Sequence, residues 1–176
     1  MATATAFNLA EGQKAERKLL VTAVNVGTSS AKEWEIVGAG IEEASIEFNP
    51  EVETKTDILG VTETTVKKLE PSIEMSPFTI RGGSKLAFKL NDIINRGALS
   101  ELAMFEVLTI EAFIDGATSG TYSAYVDKNC TITPQSKGGD STVDMPITIN
   151  YSQDRSFGSV DKYKGSGIEF TPTVSA

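Results

Sequence analysis

Histidine is missing from this sequence, and with it go the commonest general base, the commonest metal ligand and the side chain that ordinarily titrates near neutral pH. Cysteine is almost missing too. Cys130 stands alone, so no internal disulfide can form and no thiolate zinc site can be assembled. Lying in the alternating run "CTITPQ" with no histidine to activate it, it is expected to be a small buried side chain. Basic charge is scarce: 16 Lys and Arg face 24 Asp and Glu, a net charge of -8, which repels nucleic-acid phosphate. No stretch approaches the ~20 apolar residues of a membrane span. "MATATAFNLAEGQKAERKLLV" has no basic segment followed by an apolar core, so a soluble chain made in the cytoplasm is expected. Asn129-Cys130-Thr131 formally matches a glycosylation acceptor, read here as coincidence.

Phosphate-binding motifs are present only as fragments. Asp57-Ile58-Leu59-Gly60 has the Asp-x-x-Gly spelling of a GTPase switch and residues 38–40 read "GAG", but no G-x-x-x-x-G-K-[ST] or G-x-G-x-x-G accompanies them. A tight bend at 38–40 and a turn at 57–60 are the better readings. Asp140, Asp144, Asp154 and Asp161 do not follow calcium-loop spacing. The acidic strand face described next could supply two carboxyls at glycosidase separation, as any acidic strand face could, and nothing in the sequence keeps one of them protonated. The chain is expected not to be an enzyme and to need no cofactor or metal.

Extended structure dominates what is present. Residues 1–18 are Ala/Thr-rich, then charged, and read as an arm that orders only against something else; "LLVTAVNV" at 19–26 predicts a first strand. Trp34, the single tryptophan, is expected to anchor a core or interface rather than to stack on a ligand. From Glu43 the alternation is regular: Glu43, Ser45, Glu47, Asn49, Glu51, Glu53, Lys55 and Asp57 share one parity, Ile46, Phe48, Val52 and Ile58 the other. Such a strand is longer than a small core requires, and Pro50 is expected to kink it. After Gly60 the chain returns, with Lys68, Glu70, Ser72, Glu74 and Ser76 opposite Leu69, Ile73 and Met75, so a hairpin over 43–76 is predicted. "KLAFKL" at 85–90 reads as a strand and residues 91–104 as a helix that Asn91 or Asp92 would cap. Leu108, Ile110, Ala112 and Ile114 predict an inward strand face, and strands separated by glycine loops fill the remainder. The fold class is therefore mainly β: a β-sandwich or partly open barrel with one flanking helix. A hairpin that buries little on its own molecule invites a cover, and a second copy of the chain is the simplest one.

The acidic hairpin "ASIEFNPEVETKTDILGVTETTVKK", the helix after "KLAFKL" and the C-terminal "DMPITINYSQDRSFGSVD" together resemble the tail tube (major tail) proteins of bacteriophages, over most of residues 18–170. Type VI secretion and tailocin tube proteins are similar in fold. The resemblance implies hexameric rings stacked into a hollow tube for DNA passage, assembled in the host bacterial cytoplasm and located in the virion tail. Implied partners are further copies and other tail proteins such as tape-measure, terminator and baseplate components, with DNA passing unbound. It divides the chain into an arm (1–18), one tube domain (19–164) and a tail (165–176). Carried over, Glu43, Glu47, Glu51, Glu53, Glu70 and Glu74 become lumen-lining candidates, although Lys55 and Lys68 share their parity. Asp57, Ile58, Leu59 and Gly60 become ring-stacking candidates, with the arm and tail beside them. The alternative is a monomeric β-sandwich binding module, such as a capsid decoration or carbohydrate-binding domain, recognising its ligand through Trp34 and the tyrosines.

Overall fold

The computed structural model describes residues 7–173. In chain order the strands are β1 (Leu20–Asn25), β2 (Trp34–Val37), β3 (Ile46–Glu47), β4 (Pro50–Thr56), β5 (Thr62–Leu69) and β6 (Ser72–Met75). Helix α1 (Lys85–Arg96) and a 3₁₀ turn (Leu99–Ala103) follow, then β7 (Phe105–Asp115), β8 (Tyr122–Pro134), β9 (Ile147–Asn150), β10 (Asp154–Val160) and β11 (Phe170–Pro172). The expected class is found: a curled, partly open antiparallel sheet runs β2-β1-β7-β8-β9-β6-β3, with β10 and β11 branching from β8 and the β4–β5 pair standing apart.

β8 is the strand that makes the sheet curl. Its first part pairs with β7 and β10, its last part with β9. Between them Asn129 takes a left-handed φ of 54°, a conformation asparagine tolerates better than most residues, and the ladder shifts there. The concave side gathers Val24, Val107, Ile132, Ile149, Ile73 and the inner face of α1 into one apolar core. On the convex side of β1, β7 and β8, Ala23, Leu108, Ile110 and Val126 form a second core, closed by Trp34 and Ile168. β7 is thus covered on both faces, and Thr109 is as buried as Leu108; the alternation of Leu108, Ile110 and Ala112 revealed one of the two.

The helix lies earlier than its predicted span of 91–104. "KLAFKL", read as a strand, is its first half. Leu86, Leu90 and Ile93 are the buried stripe, at helical spacing, and Phe88, the expected strand-mate of Leu86 and Leu90, points to solvent. Ser84, not Asn91 or Asp92, is the N-cap: its hydroxyl accepts from the Ala87 amide at 3.2 Å. Glu35 of β2 completes the cap, accepting from the Lys85 and Leu86 amides at 2.9 and 3.0 Å. Gly97, with φ of 67°, ends the helix in a left-handed cap.

Both terminal segments engage the domain where they are described. Asn8 donates hydrogen bonds along the end of β7, from its backbone amide to the Phe113 carbonyl at 3.0 Å and from its side-chain amide to the Ala112 carbonyl at 3.2 Å, and Arg17 reaches the Ala44 carbonyl at 2.8 Å. The segment expected to be an arm thus touches its own domain at Asn8 and Arg17, with the stretch between them largely exposed; residues 1–6 lie outside the described span. Past Gly165, Ile168 is buried in the second core and β11 pairs with β10, so the segment placed in a tail is, through Pro172, part of the sandwich edge.

Candidate functional site

The ribbon that leaves the sheet edge through β3 and β6 continues as the β4–β5 hairpin, but not as one straight strand. Asn49 adopts φ of 43° and donates to the Glu70 carbonyl and the Ser72 hydroxyl, each at 3.1 Å; this is the kink expected near Pro50. A bulge between Glu51 and Val52 shifts the register, so Glu51 faces Lys68 while Val52 faces Val66. At the end, the Asp57 carboxylate accepts from the Leu59 and Val61 amides at 2.8 and 2.9 Å, and the Gly60 amide donates to the Asp57 carbonyl, with Gly60 at φ of 82°. The Asp-x-x-Gly spelling is a hairpin turn, whose left-handed last position suits glycine.

Cross-strand registry sorts the hairpin into two faces. Glu51, Glu53 and Lys55 face Lys68, Thr65 and Glu63, and here charge is largely matched: Lys68 bridges Glu51 and Glu70 at 3.4 and 2.7 Å, while Lys55 and Lys67 hold Glu53 at 3.3 and 3.2 Å. The other face carries Val52, Val66 and two rungs of threonine, Thr54–Thr64 and Thr56–Thr62. All of β5 is exposed, and at the tip Ile58 and Leu59 are 102% and 82% exposed. An isolated two-stranded ribbon is marginal in water, and this one shows solvent a charged face, a face of valine and threonine, and an apolar tip.

The lumen candidates are separated by this geometry. Glu51 and Glu53 lie on the hairpin and are ion-paired; Glu70 sits at its base, paired with Lys68. Glu43 is exposed in the loop before β3. Glu47 and Glu74 remain together on the sheet itself, diagonal neighbours because Glu47 stands opposite Ser72. Their face, turned away from the first core, continues through Ser72, Asn150 and Thr131 in one row and Glu74, Thr148 and Thr133 in the next. It is polar, with glutamate as its charged residue type. The contributions of β8 and β9 to this face were not visible to parity counting on 43–76, since they come from strands more than 50 residues away; the alternation "TITPQ" and "ITIN" was the available signal.

Other singled-out residues are accounted for inside. Trp34 is 5% exposed, which removes the stacking platform that the binding-module alternative needed. Cys130 is fully buried, its thiol 3.4 Å from the Asp127 carbonyl, and burial pushes its pKa from the ordinary 9.0 to about 11. Asp127 is a buried carboxylate held by Arg155.

At the opposite end of the ribbon from the tip, β6 runs on to Phe78–Ile80, which bonds along Val143–Met145: Ile80 donates to the Val143 carbonyl and Met145 to the Phe78 carbonyl, at 2.9 and 2.8 Å. Between this pair of segments and the outer face of α1 lies an open cleft of about 710 Å³ with Ile80, Phe88 and Val143 as its apolar lining and Arg81 and Lys137 among its polar residues.

No family model matches the chain, and no curated protein matches it in sequence. Among solved structures it is similar to a chain from the cryo-EM structure of an extracellular contractile injection system, the PVC sheath/tube terminator in the extended state: TM-score 0.50 at 12% identity, over 82% of this chain and 96% of that one. A chain from the PVC sheath-tube complex in the extended state is also similar, with a TM-score of 0.45 and 10% identity over 91% of this chain and 94% of that one. The former likeness is one of fold.

Proposed function

We propose that the chain is a structural subunit of a phage-like tail tube, acting through self-assembly and not through catalysis. The observation that carries this reading is the β4–β5 hairpin, which leaves the domain with both faces and its apolar tip uncovered. A ribbon of this kind is stable when something lies against it, and identical copies are the nearest source. The fold likeness to a chain of an injection-system assembly supports the same reading.

In this assembly six copies close a ring through the edges of the sheet β8-β9-β6-β3, placing Glu47 and Glu74 with the threonine rows on the lumen. The hairpin, with Asp57, Ile58, Leu59 and Gly60 at its tip, links rings. A wall of threonine, asparagine, serine and glutamate gives a passing DNA no cation to condense on, so the polymer is not trapped by counterion release. Residues 19–172 act as one tube domain, and further tail components cap the stack. Negative-stain electron microscopy of the purified chain, with sedimentation velocity over a range of concentration, tests the proposal. Six-fold rings or stacked tubes are expected; a monomer that persists at about 100 µM, well above ordinary assembly affinities, overturns it.

A further inference from the structure

From the hairpin tip and the cleft at α1 we infer that each is the other's partner: the Asp57–Gly60 tip of one copy inserts into the cleft formed by residues 79–83, α1 and residues 137–143 of a second copy. The inference rests on the self-assembly reading and specifies its contact.

The surfaces match in chemistry. The tip offers Ile58 and Leu59, almost wholly exposed, flanked by the carboxylates of Asp57 and Glu63; neither has an ion-pair partner among the described residues. One Asp57 oxygen is committed to the turn amides, which fixes the shape of the tip without neutralising it. The cleft presents the reverse: apolar lining from Ile80, the exposed ring of Phe88 and the half-exposed Val143. Its cations are Arg81, which has no acidic partner among the described residues, and Lys137, which donates to the neutral Asn91 side chain at 2.9 Å. Two branched aliphatic side chains entering an apolar cleft of this size, with acids meeting unpaired cations at the rim, combine burial with charge complementarity.

The topology requires two copies. β3 pairs with β6 and β4 with β5 in the same antiparallel sense, and the Glu70 amide donates to the Phe48 carbonyl across the junction at 2.9 Å. The ribbon thus continues through the Asn49 kink from tip to Met75, and the cleft opens just past Met75, at its other end. At ~3.3 Å per residue, β5 alone carries the tip roughly 25 Å beyond the kink. A tip cannot fold back into its own cleft. Contact is head-to-tail, and each copy retains a free tip at one end and a free cleft at the other, which is the arrangement that propagates along a stack.

Paired cysteines test the contact in the full chain. Ile58→Cys and Val143→Cys together, in particles oxidised with copper phenanthroline, should give a ladder of cross-linked chains on non-reducing gels. Each single substitution should give none, since buried Cys130 supplies a silent background. Independently, Leu59→Asp and Val143→Asp should each leave the thermal unfolding midpoint of the monomer unchanged and raise the concentration needed for assembly about tenfold or more. Particles that form normally with Val143→Asp, or that form from the double-cysteine chain without a ladder, overturn this pairing and leave self-assembly standing. Wild-type chain that forms no particles overturns self-assembly, and the pairing with it.

Discussion

Arg155 grips Asp127 in a side-on pair, with Nε 3.0 Å from Oδ1 and Nη2 3.0 Å from Oδ2, although the carboxylate is wholly buried. The guanidinium also lies 3.9 Å from the centroid of the Tyr125 ring. Burial works against the arginine charge, and the hydrogen bonds and charge of Asp127 outweigh it, leaving the Arg155 pKa raised. The two residues are opposite one another on β8 and β10, so the pair fastens the branch strand to the sheet.

Removing one partner should therefore be costly. Arg155→Met leaves an uncompensated buried carboxylate, and a loss of about 3–5 kcal/mol in urea unfolding is expected. The double variant Arg155→Met with Asp127→Leu should recover much of that loss, because hydrophobic replacement of a whole buried pair is often tolerated.

Thr109 and Tyr151 hold buried hydroxyls without a hydrogen bond of ordinary geometry among the described residues, although they lie near enough to one another for Thr109 to oppose the burial that raises the Tyr151 pKa. Each already bears the desolvation cost of an unsatisfied polar atom. Thr109→Val and Tyr151→Phe are expected to leave stability unchanged or to raise it by about 1 kcal/mol, read from the same unfolding curves; a fall of that size in either would reveal a bond the geometry does not contain.

The start of α1 depends on a residue from another strand. Glu35→Ala removes the acceptor of the Lys85 and Leu86 amides and should lower stability by about 1–2 kcal/mol. At the other end, Gly97→Ala places a side chain at φ of 67° and should cost about 1 kcal/mol. Thermal denaturation followed by circular dichroism measures both.

That dependence explains why the helix was misplaced from sequence while most strands were not. In "KLAFKL", Leu86, Phe88 and Leu90 satisfy a period of two, and Leu86, Leu90 and Ile93 satisfy helical spacing; the pattern is a tie. It is broken by Ser84 and by Glu35, fifty residues upstream, which no local window contains. The hairpin was legible because its alternation and its Asp-Gly turn agree. Its single acidic face was not, since the bulge after Glu51 and the left-handed Asn49 reset the parity, and Lys67 and Lys68 from across the hairpin, with Lys55 on the same strand, pair with Glu51, Glu53 and Glu70. The cleft was invisible for a different reason: three segments far apart in the chain build it.

Cys130 carries a pH signature. Its pKa is raised in the folded chain by burial, from 9.0 to about 11, so the neutral thiol is favoured by folding. The stability this contributes is present below pH 9 and is lost as pH rises through 11. The difference in stability between wild type and Cys130→Val should shift in favour of the variant over that window, by at most about 3 kcal/mol. Equal pH dependence of the two proteins would contradict the burial of the thiol.

Glu47 and Glu74 provide the test of the polar sheet face. In the proposed tube, Glu47→Lys with Glu74→Lys should permit ring formation but slow DNA passage, because the new cations bind phosphate. Glu51→Lys should have less effect on passage, since Glu51 is already paired with Lys68 on the hairpin. Ejection kinetics from particles built with each variant distinguish them, and wild-type rates for the double variant would remove these glutamates from the channel wall.

A chain whose one sulfhydryl points from β8 into the first core is blind to the thiol–disulfide poise around it. Its surface offers no thiolate to oxidise, glutathionylate or exchange, and no disulfide waits to form or be reduced. No thiol–disulfide chemistry therefore distinguishes a reducing from an oxidising compartment for this chain, so an object built from it in one would gain or lose no cross-link in the other.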